Sequence, residues 1–190
     1  LVEMTFAPID QVAEWLTKVV GAEIIRRESG RLSSLIDNVL DFAKIERGAM
    51  PYIFEEDQDI IDVVERALEI SRPRAEQAKM SISVNYADDL PTTRLDANAI
   101  VLALLNLVDN AIKYAAVGER IVVEVKRSGK RLVITVRDFG PGIPSDEQGS
   151  VFERFYRAKD IRLKPVRGSG IGLSLVKHIA SAHGGGVGID

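Results

Sequence analysis

Asn106-Leu107-Val108-Asp109-Asn110-Ala111-Ile112-Lys113-Tyr114 lies within a densely apolar segment, Ile100 to Ala115, that reads as a helix. Asn106, Asn110 and Lys113 recur at steps of four and three residues and share one face, with Tyr114 one step aside. Leu107, Val108, Ala111 and Ile112 are expected on the opposite, buried side. Two amides beside a lysine offer neutral ligands for a cation next to a partner for phosphate. Alone, such a face is usually a solvated helix surface.

Moving towards the C-terminus, Ile121–Arg127 and Arg131–Asp138 are β-branched runs joined by Ser128-Gly129-Lys130, a hairpin. The second run leads into Asp138-Phe139-Gly140-Pro141-Gly142-Ile143-Pro144. Two glycines there let the backbone approach a flat ligand, and Asp138 supplies an acceptor at the strand end. By itself this is also a tight, proline-stiffened loop. Next comes Val151-Phe152-Glu153-Arg154-Phe155-Tyr156-Arg157. From Arg154 to Arg167 there are six cations against a single acid, Asp160: either an exposed charged loop or a basic segment hinged on Phe152 and Phe155 and suited to closing over phosphates. Gly168-Ser169-Gly170-Ile171-Gly172-Leu173-Ser174 then opens a last helix, about Ile171 to His183, that ends on Gly184-Gly185-Gly186. Free N–H groups at a helix start, with glycines, form an anion cradle. The stretch lacks the Gly-Lys-Ser/Thr ending of a P-loop and the spacing of a Rossmann turn, so both are rejected.

Towards the N-terminus, Ile60, Ile61, Val63, Val64, Ala67, Leu68 and Ile70 form a helical stripe expected to end near Pro73. Met80 to Tyr86 alternates as a half-buried strand does. Ala87-Asp88-Asp89-Leu90-Pro91 is a turn, with a short strand around Arg94. Helices with an antiparallel-containing mixed sheet predict an α+β body, a two-layer sandwich, over residues 51–190. Ten of the fifteen glycines fall between Gly140 and Gly188, so backbone geometry matters most there. The break at Gly48-Ala49-Met50-Pro51 separates this body from a helical region, residues 1–50. Leu32, Leu35, Ile36, Val39, Phe42, Ala43 and Ile45 form an amphipathic stripe there, continued less regularly by Val12, Trp15, Leu16 and Val19. Such a helix suits packing on its own domain or, as its separation from the glycine-rich body favours, a bundle with a second chain.

Composition sets the outer limits. The 190 residues, 46% hydrophobic and 28% charged, are those of an ordinary globular protein. Twenty-five basic against 28 acidic residues give a net charge of −3, which argues against nucleic acid as a partner. The absence of cysteine removes disulfides, thiolate metal sites and cysteine nucleophiles. The longest strongly apolar stretch, Ala99 to Val108, is half of the ~20 residues that cross a bilayer. With no signal-peptide pattern at the N-terminus, a cytoplasmic segment without membrane contact of its own is expected, the full-length protein being open to membrane anchoring.

The order and spacing of the four segments resemble the ATP-binding catalytic domain of sensor histidine kinases, within the gyrase, heat-shock chaperone and mismatch-repair ATPase superfamily. NLVDNAIKY is similar to its N box, DFGPGI to its first glycine box, FERFYR to its F box and GSGIGLSL to its second glycine box. Glu28 to Gly48 resembles the second helix of the family's dimerisation and phosphotransfer hairpin. The resemblance implies a Bergerat-type fold preceded by a long bundle helix, and Mg-ATP (Mg2+ with ATP or ADP) as ligand. Asn110 would hold the metal and Asn106 would bond metal-bound water or phosphate. Lys113 would reach the phosphates and Tyr114 would lie along the adenine. Asp138 would accept from the adenine amino group, with Gly140 and Gly142 clearing room for the base. Ile143, Phe155, Ser169 and Leu173 would line the cofactor site. Arg157, Gly168, Gly170 and Gly172 would surround the triphosphate. Asn106, Lys113 and Arg157 would carry catalysis. The family's other partners would be a response-regulator receiver domain and a second copy, joined through the N-terminal helices.

Within the superfamily, hydrolysing members carry a glutamate where this chain has Asn106. An amide takes no proton at neutral pH, so Asn106 favours passing the γ-phosphoryl group to another element over hydrolysis. The Glu28–Gly48 helix likewise speaks against a serine kinase of the same superfamily. The departures are on the acceptor side. The family's acceptor histidine lies in a sequence like His-Glu-x-x-Thr-Pro-Leu, whereas this chain has only His178 and His183, in the last helix and expected as surface or C-cap residues. Glu3-Met4-Thr5-Phe6-Ala7-Pro8 can be read as a degenerate box with Glu3 in the histidine place. The family's last strand is also expected to extend beyond Gly188-Ile189-Asp190. A second reading therefore stands beside the kinase: a nucleotide-binding scaffold that regulates a partner.

Overall fold

The computed structural model describes residues 21–22, 52–115, 119–157 and 169–190. The chain divides into two compact units, Leu1–Glu46 and Arg47–Asp190. Of the first unit, residues 21–22 are helical. The amphipathic stripe, the Glu28–Gly48 resemblance and the Glu3 box lie outside the described residues.

The second unit opens with strand β1 (Glu55–Gln58), antiparallel to β3 (Thr93–Leu95). Between them run helix α1 (Ile60–Gln77) and strand β2 (Ser81–Tyr86). Helix α2 (Ala97–Tyr114), the hairpin of β4 (Arg120–Ser128) and β5 (Arg131–Asp138), and helix α3 (Gly172–Ala182) follow. β4 is central, parallel to β2 and antiparallel to β5, so the three-stranded sheet is mixed as expected. β1 and β3 form a second, two-stranded sheet.

Each element follows from its pattern. Asp59 caps α1 by accepting from Ile61 N at 2.8 Å, and Ile60, Val63, Val64, Ala67, Leu68, Ser71 and Ala75 form its buried stripe. Contrary to expectation, α1 does not stop near Pro73 but runs through it to Gln77. The ring removes one N–H, and the carbonyl deprived of it belongs to Glu69, on the exposed face where water substitutes. On β4, Ile121, Val123 and Val125 are fully buried. With half-buried Ile82 and Val84 of β2 and Leu132, Ile134 and Val136 of β5, they pack in one core with α1 and α2. This is the α+β sandwich. The hairpin turns tightly through Gly129, at φ +62°, with Ser128 opposite Arg131.

Helix α2 begins three residues before Ile100. Its N-cap, Asp96, is buried: Oδ1 accepts from Ala99 N at 2.9 Å and Oδ2 from Ile53 N at 2.8 Å. His183 is the C-cap residue of α3, and its ring also ties the two helices together. Asp96 N donates to Nε2 at 3.0 Å while Nδ1 faces Ile179 O at 2.8 Å. A backbone N–H only donates and a carbonyl only accepts, so the ring is the neutral Nδ1–H tautomer. Tyr52 and Phe54 close over it, with ring centroids 5.9 and 4.9 Å away.

Candidate functional site

The buried stripe of α2 is Val101, Leu104, Val108 and Ala111, continued by Ala115. Ile112 packs partly against the core, but Leu107 does not lie fully on the buried side; it is half-exposed, beside the amide face. Asn106 and Asn110 sit half-buried on the outer side. Asn106 Nδ2 donates to Leu102 O at 2.9 Å, so one of its two N–H donors is spent on its own helix. Its Oδ1 points at the start of α3, where a Cβ on Gly172 would lie 2.8 Å away. The missing side chain of Gly172 thus lets α3 begin against the amide face of α2. α3 starts from Ile171 with no side-chain cap, so the first-turn N–H groups carry the partial positive charge of a helix start.

After β5, Asp138 Oδ1 accepts from Gly140 N at 3.0 Å, which fixes the carboxylate at the strand end. A Cβ on Gly140 would meet Ala115 Cβ at 2.6 Å and Ala115 Cα at 2.9 Å. The room that Gly140 clears is therefore occupied by the end of α2, just after Tyr114. Gly142 is different: at φ +74° with nothing within 4 Å of its Cβ position, it needs left-handed backbone and faces open space. Ile143, half-buried, accepts through its carbonyl from Gln148 Nε2 at 3.1 Å.

Phe155 holds a left-handed backbone, φ +60°, and 62% of it is exposed. Its N–H donates to Gly170 O at 3.0 Å, and a Cβ on Gly170 would lie 2.7 Å from Phe155 C and 2.8 Å from Tyr156 O. The F-box segment is thereby docked, backbone to backbone, on the loop that opens α3. Tyr156 Oη donates to Glu147 Oε2 at 2.9 Å, a bond that pushes its hydroxyl pKa up, as do partial desolvation and the nearby acidic side chains. Arg157, Ser169 and Leu173 flank this junction, Arg157 exposed and the other two half-buried. Gly168 and residues 158–167 lie outside the described residues.

The family model for histidine kinase-, DNA gyrase B- and HSP90-like ATPases matches residues 95–190. A solved mycobacterial sensor histidine kinase, MprB, is 32% identical with a TM-score of 0.61, over 73% of this chain and 85% of that one. This chain belongs to the sensor histidine kinases. The alginate biosynthesis sensor protein KinB of Pseudomonas aeruginosa is 30% identical over 98% of this chain, which spans 31% of KinB. Full-length ShkA, solved in complex with AMPPNP, is 28% identical with a TM-score of 0.72, over 98% of this chain and 36% of ShkA. The chain therefore spans about a third of the length of these two relatives.

In this kinase chain residues 95–190, matched by the family model, hold the four motifs, which are drawn together by three contacts: Asn106 with Gly172, Gly140 with Ala115 just past the N-box stretch, and Gly170 with Phe155. Lys113 is the exception. Its Nζ lies 3.8 Å from Asp109 Oδ2, one helical turn back, and Asp109 is itself bound by Arg74 of α1. The sequence reading did not single out Asp109, Arg74, Ala115 or Asp96. Asp96 had a legible signal, an aspartate directly ahead of an apolar helix. Asp109 had one too, an acid four residues before Lys113, whereas Arg74 and Ala115 are defined by partners distant in sequence. Among the described residues, no three His, Cys, Asp or Glu side chains gather as a metal cluster, and no helix is long and apolar enough to cross a membrane.

Proposed function

We propose that this chain binds Mg-ATP in the space bounded by the amide face of α2, the Asp138–Ile143 loop and the start of α3, and passes the γ-phosphoryl group to a histidine on another element. The observation that carries the reading is the seating of the uncapped start of α3 against Asn106, through Gly172. It sets first-turn N–H groups, suited to phosphate oxygens, beside an amide that cannot activate water. Catalysis is then positioning and charge neutralisation of the transferred group.

Asp138, held by its bond to Gly140 N, uses its second oxygen to accept from the adenine amino group. Guanine has a carbonyl at that place and is refused. Tyr114 and Ile143 flank the base, and Gly142 leaves it space. Lys113 reaches the phosphates; Arg157, with Phe155 and the Gly168–Leu173 loop, encloses them. Asn110 would hold magnesium, and Asn106 would bond its water or a phosphate oxygen. The donor set suits an ion that keeps most of its waters and takes phosphate oxygens, since it offers amides rather than a carboxylate cluster. When bound, the ion neutralises phosphate charge. Residues 1–50 would supply the dimerising helical region and 51–190 the catalytic domain, acting as a cytoplasmic homodimer. The histidine would hand its phosphoryl group to an aspartate of a response regulator.

Asp138→Asn tests the assignment by calorimetric titration of ATP. Loss of a charge-assisted hydrogen bond weakens binding about 10- to 100-fold. Unchanged affinity would remove Asp138 from the adenine site.

A further inference from the structure

Arg74, in the last turn of α1, has no place in the motifs of the nucleotide site, yet it reaches that site through one carboxylate. Its Nη1 lies 2.6 Å from Asp109 Oδ1 and 2.8 Å from Oδ2, between the two oxygens. Lys113 Nζ stands 3.8 Å from Oδ2, beyond direct hydrogen bonding. Asp109 is the more shielded partner, 26% exposed at the side chain against 55% for Arg74 and 37% for Lys113. One carboxylate thus faces two cations, and the guanidinium from the neighbouring helix holds the contact positions.

We infer that Arg74 is a positioning residue for Lys113, acting through Asp109, and that it tunes the affinity of the site for the triphosphate. The inference rests on Lys113 serving the phosphates. An aspartate four residues before a lysine is a favourable helix pair, so Asp109 without Arg74 closes on Lys113 and holds it along the helix. With Arg74 in place the carboxylate is already answered. Lys113 stays near but unlocked, and its departure towards phosphate leaves no unpaired charge behind. Lys113 and Arg74 are both partly exposed, so the effect has the size of a surface ion pair and weakens with salt.

The test is a set of affinities for ATP and for adenosine, which lacks phosphate, on Arg74→Gln, Asp109→Asn, Lys113→Met and their pairs. Arg74→Gln is expected to weaken ATP binding about two- to fivefold at low salt. Adenosine binding stays unchanged, and Arg74→Lys stays near the parent. In the Asp109→Asn background the Arg74→Gln loss should vanish, because no carboxylate remains to capture Lys113. In the Lys113→Met background it should vanish too. A loss that persists with Asp109→Asn would mean Arg74 acts through its long-range charge, and that overturns the proposal. An equal loss for adenosine would mean a general disturbance of the site, and overturns it as well. Should Lys113→Met alone leave ATP affinity intact, the role given to Lys113 fails, and this inference with it.

Discussion

A methyl group at Gly172 would meet Asn106 Oδ1 at 2.8 Å, whereas one at Gly140 would meet Ala115 Cβ at 2.6 Å and its Cα at 2.9 Å. The first obstacle is the tip of a side chain and can shift; the second includes backbone and cannot. Gly172→Ala should therefore leave melting within a few degrees of the parent, since up to about 1 kcal/mol of helix propensity offsets the strain. It should still displace Asn106 from its bond to Leu102 and reduce ATP affinity by about tenfold. Gly140→Ala should lower the unfolding free energy by about 1–3 kcal/mol in denaturant titration, as overpacking does. Equal stability losses in the two variants would contradict this account of the contacts. Glycine density near the C-terminus and the four motifs were readable from the chain alone. What each glycine faces was not, because Asn106 and Ala115 lie far from Gly172 and Gly140 in sequence.

Among the elements, those with an apolar period were legible: the stripe of α1, the alternation of β2, the β4–β5 hairpin and the helix that ends at Gly184. β1 was not, because Glu55-Glu56-Asp57-Gln58 has no apolar residue and is a strand only by pairing with β3. The passage of α1 through Pro73 was hidden for a related reason: burial of Ser71 and Ala75 on one face outweighs one lost bond on the other. α1 and β2 are further tied by Tyr86, whose Oη donates to Glu65 Oε1 at 2.8 Å. Partial burial, then the bond and charge of Glu65, raise the Tyr86 pKa, against a smaller opposing effect of Arg72. The unfolded chain loses this proton first, near the ordinary tyrosine value of about 10. The stabilisation is thus complete below about pH 10 and is lost as pH rises towards the higher folded value. Tyr86→Phe should flatten the fall in unfolding free energy above about pH 10, measured beside the parent so that other titrating groups cancel. An identical slope in both proteins would remove Tyr86 from the alkaline dependence.

For the whole molecule, the decisive feature is an amide, Asn106, at the place where hydrolysing members of the superfamily carry a carboxylate. The fold brings it to the uncapped start of α3, and under the proposed function that pairing is a site that holds a triphosphate without spending it on water. The measurement that bears most directly on this is transfer from γ-labelled ATP with magnesium, using this chain and a helical hairpin that bears the family's acceptor box. The account predicts acid-labile label on the hairpin, dependent on Asn110 and Lys113, with little free phosphate released. Binding of ATP with no label on the hairpin would contradict it and leave a nucleotide-binding scaffold.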